Sequence, residues 1–166
     1  MIKATTNITY KLDKEISNIL RRSNFDKGFI STKKDITYSD FLSNKMLMIL
    51  VIREGVPYKL FDLIQHFTPF TENNWADFLD LSTKSLHRYK QTSRSFKSIQ
   101  SEKIIEMSEV TKVGLDVFEE MEKFKLWLET PNFSLGNLKP IELLKDSYGK
   151  ELVISELTRI NYGILS

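Results

Sequence analysis

The sequence predicts an all-α fold, and three observations carry that prediction. Apolar residues recur at intervals of three and four through most of the 166 residues, as they do on one face of a helix. These segments begin at Ser, Thr or Asp caps or at Pro, and they end at Gly or just before Pro. Hydrophobic residues make up 41% of the chain and include eleven Phe, which is enough for a packed core. The length suits one domain or two small halves that share a core.

The first 40 residues give the weakest pattern. Residues 13–22 predict a short amphipathic helix, and residues 23–34 predict a loop. Residues 1–40 are therefore assigned as an N-terminal extension of unknown role. Two domains are predicted after it, at 41–114 and 115–166.

One helix is predicted from the cap at Ser39 or Asp40 to Gly55. The β-branched pair at 51–52 leaves a short strand as the alternative. Pro57 fits the first turn of the next helix, which Pro69 ends.

Residues 72–91 predict two short helices joined by a tight turn. The first covers 72–79 and the second begins at Thr83, with Asp80 at the turn position that needs left-handed backbone, which Asp tolerates. This spacing is that of a helix-turn-helix, and Ala76 is small where its two helices cross. The predicted buried positions are Trp75, Leu79, Leu81, Leu86 and Tyr89.

The C-terminal part predicts further helices. Residues 100–118 form a helix that Gly114 can interrupt, and its apolar stripe continues to Glu129. After a turn at 135–137, a short helix starts at Pro140. The last predicted helix follows Gly149 and ends before Gly163, with an apolar face made of Leu152, Val153, Leu157 and Ile160.

Positive charge is concentrated in one stretch. Residues 84–103 contain six Lys or Arg and one Glu, a net +5, whereas the whole chain has a formal charge of only +2. Clustered Lys and Arg are what phosphate neutralisation requires, so the stretch is typical of a nucleic-acid contact. An ordinary solvated helix face is the alternative.

The second helix of the predicted helix-turn-helix supplies candidate DNA-binding residues. With Leu86 and Tyr89 facing the core, the side chains that point away are Lys84, His87, Arg88 and Gln91. Arg88 can bind guanine bidentately, and Gln91 can do the same with adenine. The residues better placed for phosphates are Ser85, Lys90, Arg94 and Lys97.

Several functions are excluded by what the sequence lacks. There is no Cys, and the two His are 21 positions apart, so no metal-ligand set is present and no thiol chemistry is expected. No nucleophile triad or Gly-rich phosphate loop occurs, so we expect neither catalysis nor a bound cofactor. The longest apolar run, 46–52, is too short to span a membrane, and a cytoplasmic protein without membrane contact is expected.

The C-terminal residues form an ordered motif string. It contains Phe124-x-x-Trp127-Leu128-x-Thr130-Pro131-Asn132, Leu135-Gly136, Pro140-Ile141-Glu142-Leu143-Leu144 and Gly149-x-x-x-Val153-x-x-x-Leu157-x-Arg159-Ile160-x-Tyr162-Gly163. This string strongly resembles the toxin-binding domain of the Xre/MbcA/ParS antitoxins. Upstream, Arg53-Glu54-Gly55-Val56-Pro57 and Leu81-Ser82-x-x-Ser85-Leu86-x-Arg88 resemble the Xre-type helix-turn-helix of that family. The chain departs from the family at Asn137 in this string and at Asp80 in the helix-turn-helix turn, where Gly is common.

The resemblance implies an antitoxin of a type II toxin–antitoxin system. Such a protein blocks the active site of a RES-domain toxin that consumes NAD, and it represses its own operon by binding operator DNA. It would act as a homodimer or as a larger hetero-oligomer with the toxin. An apolar tail after Gly163 is expected to enter the toxin cleft, and the expected toxin-binding residues are Arg159, Asn161, Tyr162, Gly163, Ile164, Leu165 and Ser166. The alternative is a stand-alone helix-turn-helix regulator whose C-terminal domain senses a ligand or dimerises.

Overall fold

The structure of the chain is a computed structural model that describes residues 2–23 and 35–163. The described residues form helices and contain no β-strand, only two isolated antiparallel bridges, so the predicted all-α fold is confirmed. The α-helices are α1 (Ile2–Arg22), α2 (Tyr38–Leu42), α3 (Lys45–Glu54), α4 (Tyr58–Phe67), α5 (Glu72–Phe78), α6 (Thr83–Thr92), α7 (Ser98–Phe118), α8 (Met121–Glu129), α9 (Pro140–Leu143) and α10 (Ser147–Asn161). A 3-10 helix lies between α8 and α9, at Phe133–Leu135.

The chain divides into two compact units, each made of two segments. Unit 1 is drawn from residues 1–67 and 84–105, and unit 2 from residues 68–83 and 106–166. Two helices contribute to both units, because α6 begins one residue before the second segment of unit 1 and α7 continues past residue 105.

Helix α1 is a structural part of unit 1. It packs against α4 and α2, and its almost completely buried apolar side chains are Leu12, Ile16, Ile19 and Leu20. The helix begins much earlier than the predicted start at residue 13, because neither Pro nor Gly interrupts the chain between Ile2 and Arg22. Burying these apolar side chains is what holds the helix on the unit.

The segment predicted as a single helix up to Gly55 consists of two helices. Thr37 caps α2 in a capping box with Asp40, and Asn44 begins α3 by accepting hydrogen bonds from the backbone N–H groups of Met46 and Leu47 at 3.1 and 3.2 Å. Asn44 competes with helix continuation because its side chain satisfies backbone donors that an unbroken helix would use. The strand alternative at residues 51–52 is wrong, since α3 continues to Glu54.

The core of unit 2 is rich in aromatic rings. Phe70, Trp75 and Phe78 pack edge to face, with ring centroids 5.1 to 6.0 Å apart. In a second cluster, the buried ring of Phe124 lies 6.1 Å from that of Phe118 and 6.3 Å from that of Trp127. Such pairs add to the stabilisation that burial itself provides.

Gly114 does not interrupt α7, so the break that the sequence allows at this position does not occur. The helix is continuous from Ser98 to Phe118, and a Cβ at position 114 would lie 2.3 Å from a ring carbon of Phe124. Glycine is present because α8 approaches α7 at this point, so the ring occupies the space that a side chain would need.

Helix α10 is attached to its neighbours by backbone packing and by charge. A Cβ at Gly149 would lie 1.9 Å from the carbonyl oxygen of Leu143, so the first turn of α10 sits directly against α9. The Lys150 ammonium lies 3.4 Å from a carboxylate oxygen of Glu106 and 3.4 Å from one of Glu109. All three side chains are largely buried, so the pairing is less screened than a surface ion pair.

Gly114→Ala tests the close approach of α7 and α8. Alanine is the better helix former by about 1 kcal/mol, so an open site would be stabilised. Here the methyl group would meet the buried Phe124 ring, and overpacking of this kind costs about 1–3 kcal/mol. We expect a lower midpoint of urea unfolding than for the wild type. Asp116→Ala, at an exposed position in the same helix, is the control and should be neutral or stabilising.

Candidate functional site

The turn after α5 has the backbone conformation that the helix-turn-helix pattern predicted. Asp80 has φ 51°, in the left-handed region. The N–H of Leu81 donates to the carbonyl oxygen of Ala76 at 3.0 Å, and that of Asp80 donates to Asp77 at 3.3 Å. These two bonds form a Schellman motif, which ends α5 abruptly and allows α6 to begin at Thr83.

Most of the predicted DNA-binding side chains are exposed. Ser85 is half-buried, and the exposed residues are Lys84, His87, Arg88, Lys90, Gln91, Arg94 and Lys97. Leu86 is buried as predicted, whereas Leu81 and Tyr89 are only half-buried. The Tyr89 ring stacks on that of Phe96, at a centroid distance of 4.4 Å and an interplanar angle of 10°.

The segment that follows α6 fixes the C-terminal end of this helix. Phe96 is buried against the Phe61 ring of α4, and its N–H donates to the carbonyl oxygen of Val56 at 2.9 Å. Gly55 is required here, because its φ is 94° and a Cβ would lie 2.4 Å from the Phe96 carbonyl oxygen. Ser101, which is completely buried, accepts a hydrogen bond from the Val56 N–H at 2.8 Å.

The net charge of the chain hides a sharp difference between its units. Unit 1 contains 17 Lys or Arg and 8 Asp or Glu, a formal +9, and unit 2 contains 7 and 14, a formal −7. All of the basic stretch 84–103 belongs to unit 1. Polyanions and acidic surfaces are therefore attracted to unit 1, and basic surfaces to unit 2.

The predicted toxin-binding residues that the structure describes lie at the end of α10. Arg159 is half-buried and donates to a carboxylate oxygen of Glu156 at 2.8 Å. Asn161 and Gly163 are exposed, and Tyr162 is 75% exposed. The predictions for Ile164, Leu165 and Ser166 lie outside the described residues.

Helix α10 exposes two large apolar residues that the sequence analysis did not assign to a site. Tyr148 is 83% exposed and Leu152 is 54% exposed. Leu152, which the sequence groups with Val153 and Leu157 on one apolar face, is therefore not on the buried face that contains those two residues. At 100° per residue, Tyr148, Leu152 and Tyr162 lie within an arc of about 80°, on the same face as Arg159. The α10 face is defined here by these four residues.

The loop between α8 and α9 exposes more apolar surface. Phe133 is 83% exposed, and Leu138 is 47% exposed beside the bridge that it forms with Asn132. Asn137, in the turn predicted at residues 135–137, has a left-handed conformation with φ 62°. Leu126, at the end of α8, is 67% exposed. All the exposed large apolar side chains described in unit 2 thus lie between residues 126 and 162.

Comparison with known families assigns this part of the chain. Residues 114–163 match the family described as "Antitoxin Xre/MbcA/ParS C-terminal toxin-binding domain". This part of the chain is similar to the toxin-binding domain of the Xre/MbcA/ParS antitoxins. This domain contains both the α10 face and the exposed loop, and the family assignment made from the sequence is confirmed. The broader prediction of an antitoxin from a toxin–antitoxin system is supported with it.

Two individual proteins similar to this chain are informative. The protein "Antitoxin Xre" of Photorhabdus laumondii subsp. laumondii is 25% identical over 117 residues, which are 70% of this chain and 79% of that protein. A chain in the crystal structure of the M. tuberculosis MbcT–MbcA toxin–antitoxin complex matches with a TM-score of 0.49 and 21% identity, over 58% of this chain and 86% of that one.

Membrane-spanning helices and metal-ligand groups are both absent from the described residues. Among residues 2–23 and 35–163, no helix combines the length and apolar character that crossing a membrane requires. The same part of the chain has no group of three or more His, Cys, Asp or Glu side chains arranged to hold a metal ion.

Asp80→Gly tests the strain in the turn. A left-handed conformation costs an L-residue about 1–2 kcal/mol, and less for Asp than for most residues. Glycine removes that cost, but part of the gain is offset because glycine also gives the unfolded chain more conformational entropy. We expect the variant to be more stable by up to about 1 kcal/mol in urea unfolding, and Asp80→Val to be less stable than the wild type. A Val variant as stable as the Gly variant would contradict the role of backbone conformation at this position.

Proposed function

We propose that this antitoxin binds and inhibits a RES-domain toxin that consumes NAD, and that it represses its own operon by binding operator DNA. The observation that carries the toxin-binding part is the position of the exposed apolar side chains of unit 2, all of which fall inside the matched toxin-binding domain. The RES identity and the NAD chemistry of the toxin rest on the family resemblance of the C-terminal motif string.

The α10 face has the composition of a protein interface. Tyr and Arg are enriched among the residues that dominate binding energy, and this face combines Tyr148, Tyr162 and Arg159 with Leu152. Contiguous exposed apolar surface on a small protein marks an interaction site. Because unit 2 has a formal charge of −7, we infer that the toxin presents a basic surface around an apolar centre.

Exposure and charge support DNA binding by α6. In the proposed complex, Arg88 and Gln91 contact base edges in the major groove, Lys84 and His87 lie beside them, and Ser85, Lys90, Arg94 and Lys97 contact phosphates. The stacking of Tyr89 on Phe96 fixes the direction of the helix, so these contacts need little rearrangement. Reading a two-fold symmetric operator requires a dimer or a larger assembly.

Leu152→Glu tests the α10 face. A buried carboxylate without a partner would weaken toxin binding by about 2 kcal/mol or more, roughly 30-fold in Kd, while leaving the fold intact because Leu152 is exposed in the free chain. Calorimetry with the RES-domain toxin encoded beside the antitoxin gene measures the affinity, and growth on toxin expression measures inhibition. Ile99→Glu introduces the same charge at a 72% exposed position of unit 1 and should bind normally. Equal affinities of all three proteins would contradict the proposal.

Arg88→Ala tests base recognition by α6. Loss of a bidentate contact should weaken operator binding by about 1–3 kcal/mol without a comparable effect on unrelated DNA. Lys97→Ala should weaken operator and unrelated DNA about equally. Gel-shift titrations at fixed salt distinguish the two effects. Unchanged operator affinity in both variants would contradict the proposal that α6 binds DNA. A chain that binds its operator but inhibits no toxin would be the stand-alone regulator.

A further inference from the structure

We propose that α1 contacts DNA phosphates, so that the operator complex includes the N-terminal helix as well as α6. This inference rests on the proposed DNA binding, and it assigns a function to a segment that the sequence left without one. The surface is defined by the exposed side chains of Lys11, Lys14 and Arg22. At 100° per residue, the three lie within an arc of about 80° on the outer side of the helix.

The described acidic side chains of α1 are engaged by neighbouring helices, although Glu15 lies next to Lys11 and Arg22 around the helix. A carboxylate oxygen of Asp13 accepts a hydrogen bond from the backbone N–H of Tyr38 at 2.7 Å, at the start of α2. Glu15 is only 7% exposed, and its carboxylate lies 2.5 Å from the ammonium of Lys59 on α4. The negative charges of the helix are therefore used for internal contacts, and positive charge dominates its outer side.

The three basic side chains are available for an external anion. Within the described residues, none of them makes a hydrogen bond or an ion pair, whereas the neighbouring Arg21 is paired with Asp35. An exposed cluster of one sign without counter-charges is costly through self-repulsion, and a polyanion relieves that cost while releasing its own counterions. Unit 1, with a formal charge of +9, adds long-range attraction of the same sign.

The basic surface has a fixed relation to α6, because both belong to one packed body. The buried side of α1 packs on α4, and Phe61 of α4 lies 4.9 Å from Phe96, centroid to centroid. Phe96 in turn stacks on Tyr89 of α6. The helix from Lys11 to Arg22 is about 16 Å long, so it can face several phosphates of a strand whose charges repeat about every 3.4 Å.

The test is the salt dependence of DNA binding by the full chain. Lys11→Gln, Lys14→Gln and Arg22→Gln are combined in one variant, and Kd for the operator and for unrelated DNA of equal length is measured between 50 and 200 mM salt. Each lost phosphate contact lowers the slope of log K against log salt by about 0.9, so we expect a slope shallower by about 2–3 for both DNAs. The matched control combines Lys123→Gln, Lys125→Gln and Lys139→Gln in unit 2 and should retain the wild-type slope.

The outcomes separate this inference from the proposed function. If the wild type binds its operator and Arg88→Ala weakens that binding, but the α1 variant keeps the full slope, α1 does not contact DNA. If the α1 variant keeps the slope and instead loses affinity for the toxin or for a second copy, the surface serves an acidic protein and the inference is overturned. If the wild type binds no DNA, the proposed repression itself fails. The circular dichroism spectrum and melting temperature of the α1 variant are measured alongside to establish that it is folded.

Discussion

The close contact between Gly55 and Phe96 is the constraint on which the proposed DNA-binding surface depends. Helix α6 contributes little to the core, because Leu86 is its one buried residue. Its direction is therefore set from outside, by the ring of Phe96 under Tyr89. Phe96 can occupy that place only because position 55 has no side chain and because Ser101 completes the hydrogen bonding of Val56. A similar close contact occurs in unit 2 at Gly114. Because this residue has no side chain, the Phe124 ring packs directly against α7, which positions α8.

Much of the fold could be predicted because the deciding signals are local. The turn at Asp80 follows from its place between two apolar patterns and from the tolerance of Asp for left-handed backbone. The beginnings of α4 and α9 follow from Pro57 and Pro140, because proline fits the first turn of a helix. The division at Asn44 was missed because a cap and a polar residue on the exposed side of a helix look alike until the hydrogen bonds of the side chain are known.

The features of the candidate site that could not be predicted from the sequence depend on contacts between residues that are far apart in the chain. Helix α10 has apolar residues on two faces, and periodicity alone does not tell which face α9 and the rest of unit 2 cover. Leu152 was therefore grouped with Val153 and Leu157, although only those two lie on the covered face. Similarly, the sequence of α1 contains acidic and basic residues in mixed order. Only the contacts of Asp13 with α2 and of Glu15 with Lys59 show that its outer side is basic.

The separation of charge between the two units links the fold to the proposed dual role. A single chain that binds both a polyanion and a protein benefits when the two partners are attracted to different surfaces, because each then has less tendency to occupy the site of the other. Hydrogen–deuterium exchange of the full chain, alone and with each partner, tests this claim most directly. We predict that operator DNA protects amides of α6 and of the following residues up to Lys97 but none in residues 126–163, and that the toxin protects α10 and the loop between α8 and α9 but not α6. Protection of the same helix by both partners would contradict the account.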